Sequence, residues 1–142
     1  MGVAQLVELE KDLEIRDIPK PRVGKKEVLV RVKTAGICRS DAHYKNGSSP
    51  VGKLPTTLGH EVSGIVEDLG EDCFKFKKGD RVCIHYLITC GDCYFCNTGN
   101  EQFCKKGKII GKHVDGGFAE YISVPERNLF SLPLSYLLRR AR

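Results

Sequence analysis

Four cysteines fall within fifteen residues, Cys90, Cys93, Cys96 and Cys104, in the spacing C-x2-C-x2-C-x7-C. Nothing else in the 142-residue chain restricts its conformation as strongly. Thiols this close either bridge one another or share a metal ion. Residues 1–20 alternate apolar and charged side chains and lack the apolar core of a secretory leader. The expected compartment is therefore the cytoplasm, where clustered thiols read as metal ligands before disulfides. Four thiolates close a tetrahedron around Zn²⁺ and leave no open position, which makes such a centre structural. Gly91, Asp92, Asn97, Gly99 and Asn100 supply turns that let the loop wrap an ion. Two alternatives stand beside zinc. Four free buried thiols fit poorly with so regular a spacing. An iron–sulfur cluster would want a shorter last gap and a proline after the fourth cysteine.

The rest of the chain is cut into short apolar pieces by 15 glycines and 6 prolines. Residues 27–33 place Val28, Val30 and Val32 on one face and Leu29, Arg31 and Lys33 on the other, a strand pattern. Further strands are expected at residues 62–66, 81–86, 118–124 and 128–132, with turns at Gly79-Asp80 and Asp115-Gly116-Gly117. Residues 40–45 alone look helical, with Ser40 or Asp41 as N-cap and a stop at Asn46-Gly47. The fold class expected is mainly β, a barrel or sandwich with few helices. No G-x-G-x-x-G is present, and no strand–helix–strand succession long enough for a dinucleotide fold.

Composition narrows function by exclusion. A hydrophobic content of 41% supports a packed core, and no apolar run reaches the ~20 residues of a membrane helix. The net charge is +5, but Arg139, Arg140 and Arg142 contribute three of those charges at the very end. The body's mild surplus and its scattered basic residues argue against a nucleic-acid partner.

A second group of ligand-type residues lies upstream in Cys38-Arg39-Ser40-Asp41-Ala42-His43 and Gly59-His60-Glu61. A thiolate, an imidazole and a carboxylate around an open position compose a catalytic zinc site. Singly, Cys38 reads as a small buried hydrophobe, His60 as a core histidine and Glu61 as a surface carboxylate. In order, these segments, Gly64, Gly79-Asp80-Arg81-Val82, the cysteine loop and Gly116-Gly117-Phe118-Ala119-Glu120-Tyr121 resemble the N-terminal catalytic domain of zinc-dependent medium-chain alcohol dehydrogenases. That domain is a GroES-like, partly open β-barrel carrying a zinc-binding lobe.

The resemblance implies a division of labour. Cys90, Cys93, Cys96 and Cys104 would hold the structural zinc, and Cys38 and His60 the catalytic one, with Glu61 as neighbouring carboxylate or third ligand. Asp41 would orient the histidine, Ser40 would take the substrate's proton, and His43 would pass it on. Arg39 would meet the pyrophosphate of NAD(P), and Tyr86 would wall the substrate pocket. Residues 1–133 form the expected catalytic domain, with the lobe at about residues 88–108. Residues 134–142 form a divergent basic tail, and no nucleotide-binding domain is present in these 142 residues. A third protein ligand expected beyond Asp115 is absent, because no Cys or Asp follows it. The expectation is a truncated catalytic domain, inactive for hydride transfer as an isolated chain, with its lobe zinc in place and its catalytic site empty or partly filled. Uncovered sheet edges suggest a homo-oligomer. The alternative is a non-enzymatic, zinc-stabilised oligomerising or protein-interaction module.

Overall fold

The computed structural model describes residues 1–133, so the expected basic tail lies outside the described residues. In chain order the strands are β1 Gly2–Leu6, β2 Glu14–Asp17, β3 Glu27–Gly36, β4 Thr56–Thr57, β5 Glu61–Leu69, β6 Arg81–Ile84, β7 Leu87–Ile88, β8 Lys108–Ile109, β9 Tyr121–Pro125 and β10 Leu129–Ser131. Among the described residues the α-helices are α1 Arg39–Lys45 and α2 Tyr94–Asn97. The main sheet is antiparallel, in the order β10-β6-β5-β3-β9, and a smaller sheet runs β2-β1-β4. The sheets stay open and are tied by residues 118–120, where Ala4 N–H donates to the Phe118 carbonyl at 2.8 Å and Val32 N–H to the Glu120 carbonyl at 2.9 Å.

Alternation along the strands builds the core. Val28 and Val30 of β3, Val66 of β5, Val82 of β6 and Val124 of β9 are buried against one another. Each such side chain contributes about 1.5–3 kcal/mol on leaving water. On the opposite face of β3, Leu29 is buried at 3% exposure although its neighbours there, Arg31 and Lys33, are charged. It shares a surface cleft with Pro21 and Val23, whose segment lies over that face. Leaving out Glu67 and Lys33, the β3–β5 register skips one residue on each strand, and these bulges bend the ladder.

The predicted helix is present, but its cap is not Ser40 or Asp41. Cys38 is the N-cap, and Asp41 sits at the third helical position with its Oδ2 accepting the Cys38 N–H at 2.8 Å. The acid therefore reaches back to an orphan amide, the reciprocal half of a capping box. The stop falls where expected, at Asn46 and at Gly47 with φ 76°. The strand expected over residues 81–86 ends at Ile84, because the carbonyls of His85 and Leu87 are taken by the Asn128 side chain.

Candidate metal centres

β7 pairs with β8 at the neck of a loop whose interior is held by α2 and a 3-10 turn at Glu101–Phe103. Inside it, Cys93 and Cys96 bring their sulfurs to 3.5 Å, Cys90 and Cys104 to 3.6 Å, and Cys90 and Cys96 to 3.8 Å. These are not disulfides, whose sulfurs lie about 2.05 Å apart. They match the edge of a tetrahedron with Zn–S bonds of about 2.3 Å, which is about 3.8 Å. All four sulfurs lie within 4.8 Å of one another, so the residues fit a zinc ion. Crowding also splits the thiols electrically. The Asp92 carboxylate leads in pushing Cys90 up to about 12. Burial raises Cys96, yet the Gly91 amide and the donors Thr89, Cys93 and Cys104 outweigh it and bring that thiol down to about 6. A thiolate surrounded by thiol donors is the protonated counterpart of a metal cluster.

The second group is assembled by one ladder. Gly36 ends β3 opposite Glu61, which begins β5. The residues just beyond that pair, Cys38 and His60, are consequently neighbours. Gly36 has no side chain, and a Cβ there would collide with the Glu61 carboxylate. One ligand atom each from Cys38, His60 and Glu61 lies within 4.8 Å of the others, with Cys38 and His60 half-buried and Glu61 exposed. A thiolate, an imidazole and a carboxylate at this separation suit a zinc ion with one position left for substrate. Ser40 Oγ is 3.2 Å from Cys38 Sγ and 3.3 Å from His60 Nε2.

Asp41 braces the group from behind. It is buried, and while Oδ2 takes the Cys38 amide, Oδ1 accepts the Gly59 N–H at 3.3 Å and lies 3.5 Å from His60 Nδ1. The last contact is long for a hydrogen bond, but an acceptor there favours the proton on Nδ1 and leaves Nε2 to ligate. Gly59 itself has φ 92°, and Gly117 N–H donates to its carbonyl at 2.8 Å. A Cβ on Gly116 would strike the carbonyls of Leu58 and Gly59. The Gly116-Gly117 pair is thus a close backbone crossing that fixes the peptide leading into His60.

A cleft of about 600 Å³ opens over the site, lined by Ser40, Tyr44, His60, Glu61, Ile84, His85, Tyr86 and Ile109. Tyr86 stands in its wall, with its ring edge-on to His60 at 6.3 Å. Tyr44, His85 and Ile109 are lining residues that the sequence reading did not single out. Tyr44 was legible only as the residue following His43 on α1. Burial pushes its phenol up, partly offset by a hydrogen bond with Ser40. His43 is exposed, its Nδ1 is 3.2 Å from Ser48 Oγ, and no hydrogen bond joins it to Ser40 among the described residues. Arg39 is exposed in the first turn of α1, outside the cleft lining. Among the described residues, no helix is long and apolar enough to cross a membrane.

Comparison with known proteins agrees with this geometry. The alcohol dehydrogenase GroES-like domain family matches residues 24–134. The starvation-sensing protein RspB of Escherichia coli (strain K12) is 41% identical over 130 residues, covering 90% of this chain and 38% of RspB. An NAD-dependent alcohol dehydrogenase of Sulfurisphaera tokodaii is 38% identical over 133 residues, covering 88% of this chain and 38% of the enzyme. The cobalt- and zinc-bound thermostable alcohol dehydrogenase of Pyrobaculum aerophilum superposes with a TM-score of 0.87 at 34% identity, covering 92% of this chain and 41% of that one. The chain spans about two fifths of the length of these relatives. With sequence, fold and both cysteine-bearing sites in agreement, the chain belongs to the alcohol dehydrogenase GroES-like domain family.

Proposed function

We propose that the chain is the metal-holding, proton-handling part of a zinc-dependent, NAD(P)-linked alcohol dehydrogenase that interconverts alcohols with aldehydes or ketones. The observation that carries this is the convergence of Cys38, His60 and Glu61 within 4.8 Å beneath a cleft that Ser40 also lines. Zinc held by these three residues supplies Lewis-acid polarisation of a substrate oxygen. Ser40 offers its hydroxyl to the proton leaving that oxygen, and Asp41 keeps His60 in the ligating tautomer. Passage from Ser40 to His43 requires a bridging hydroxyl or water, since no hydrogen bond joins the two side chains among the described residues. Arg39 serves a cofactor phosphate from the exposed start of α1.

On this reading the lobe zinc is structural and tightly held. The upper site binds metal weakly with Glu61 as third ligand, and these 142 residues alone transfer no hydride because they offer the nicotinamide no fold of its own. NAD(P)-linked oxidation of simple alcohols by the purified chain is the test. A background rate is expected, and robust turnover would refute the half-enzyme reading.

One observation favours a second reading, association of the chain with itself. Strand β2 is an edge strand with all four residues exposed, Ile15 at 82%, while Ile37 and Phe74 stand at 87% and 84% exposure. Open edges and apolar side chains of this kind pair readily. A monomeric sedimentation profile at micromolar concentration would contradict it.

A further inference from the structure

The mechanism leaves the second imidazole of the cleft, His85, without a task. His85 lines the cleft beside Tyr86, their rings 5.2 Å apart, and the Tyr86 ring also lies 6.3 Å from that of His60. Its surroundings are built rather than incidental. His85 N–H donates to the Asn128 carbonyl at 2.7 Å, and the Asn128 side-chain amide donates to the carbonyls of His85 at 2.9 Å and Leu87 at 2.8 Å. Ile110 N–H donates to the Tyr86 carbonyl at 3.0 Å. The backbone of residues 85–87 is therefore pinned from two sides, and Asn128 is 3% exposed. Leu87 N–H donates to His85 Nδ1 at 3.1 Å. An Nδ1 that accepts places the proton of a neutral imidazole on Nε2. His85 is half-buried, and among the described residues its Nε2 has no hydrogen-bond partner.

We propose that His85 is a specificity-determining residue of the cleft: its Nε2–H donates a hydrogen bond to a second oxygen of the substrate, so that the site takes polyhydroxylated alcohols in preference to simple aliphatic ones. A donor held in place beside Ile84 and Tyr86, away from Ser40 and Glu61 at the metal end, discriminates because an aliphatic chain leaves it unpaired and desolvated. The Tyr86 ring neighbours both imidazoles, 6.3 Å from His60 and 5.2 Å from His85, so the second oxygen is one other than the oxygen that meets the metal. This rests on the alcohol-site reading above.

The test uses the zinc-loaded full chain, isotopically labelled, with imidazole nitrogen resonances followed during titration with sorbitol and, separately, with n-hexanol. The free chain should show His85 as the Nε2–H tautomer. Sorbitol should shift the signals of both His60 and His85, whereas n-hexanol should shift His60 alone. His85→Asn keeps a side-chain acceptor for the Leu87 amide but draws its donor N–H groups back from the position of Nε2. It should weaken sorbitol binding about fivefold, the worth of one hydrogen bond, and leave n-hexanol binding within about twofold. Shifts at His60 with either ligand while His85 stays silent, or equal weakening of both ligands by the variant, would overturn the His85 assignment alone. Silence of His60 toward both ligands would overturn the alcohol-site reading and this assignment with it.

Discussion

Asp41 offers the sharpest test of how the upper site is held. Both of its oxygens accept backbone N–H groups, from Cys38 at 2.8 Å and Gly59 at 3.3 Å, and the side chain is buried. Asp41→Asn replaces one of those acceptors by an NH₂ group that must face a donor. The shorter Cys38 bond will keep the remaining oxygen, so the amide nitrogen turns toward the Gly59 N–H and His60 Nδ1. One buried amide is then unsatisfied, at a cost of about 1–3 kcal/mol. For a chain of this size that is a fall in Tm of roughly 4–10 °C. Facing a donor, His60 Nδ1 becomes the acceptor and Nε2 carries the proton, which competes with metal. Affinity for cobalt at Cys38 and His60 should drop by about 10–100-fold. Thermal unfolding followed by circular dichroism reads the first effect, and titration of the cobalt–thiolate absorption in a chain whose lobe is already filled with zinc reads the second. The control is Asp12→Asn, an exposed partner of Lys45 at 2.6 Å, expected to change stability by less than about 0.5 kcal/mol. An Asp41→Asn chain that melts with wild type and binds cobalt with wild-type affinity would refute the reasoning.

Other perturbations probe separate parts of the account. Gly116→Ala drives a Cβ into the carbonyls of Leu58 and Gly59, and urea unfolding should show a loss of about 1–3 kcal/mol with weaker metal binding at His60. His113 accepts the Ile109 N–H on Nδ1 at 2.9 Å, and burial, then Lys112 and Lys108, holds its pKa below the ordinary 6.5. The unfolded chain therefore takes up that proton first. Its contribution to stability is complete above 6.5 and is lost as pH falls from there toward the folded pKa, so unfolding free energies measured between about pH 7.5 and pH 5 should decline less in His113→Gln. Cys93→Ser should release the lobe zinc and unfold the lobe, seen as lost amide protection in residues 88–108, while the main sheet keeps its protection.

Much of this was legible in the sequence because it is written locally. The lobe follows from cysteine spacing, and the valines of β3 from simple alternation. Cys38, Ser40, Asp41, His60 and Glu61 lie in two short segments joined by the β3–β5 ladder. What escaped depends on distant pairings. The exposed β2 strand carries no apolar alternation, and it exists because β1 pairs with it. Leu29 shares its face of β3 with Arg31 and Lys33, and nothing local to it announces its burial. The helix cap was misplaced because Ser40 and Asp41 are strong caps by type, whereas the acid reaches backward to Cys38. His85 and Asn128 are 43 residues apart, and nothing in either segment announces that the β10–β6 pairing brings them together.

On the reading proposed above, one β domain carries two distinct metal sites, the lobe binding tightly and the upper site weakly. Zinc counting by mass spectrometry on the native chain, after dialysis against a mild chelator, tests it most directly when repeated on Cys93→Ser and Cys38→Ser. One retained zinc per chain in the wild type and in Cys38→Ser, and none in Cys93→Ser, is the expected result. Retention of no zinc by the wild type, or loss of the retained ion on changing Cys38 rather than Cys93, would contradict it.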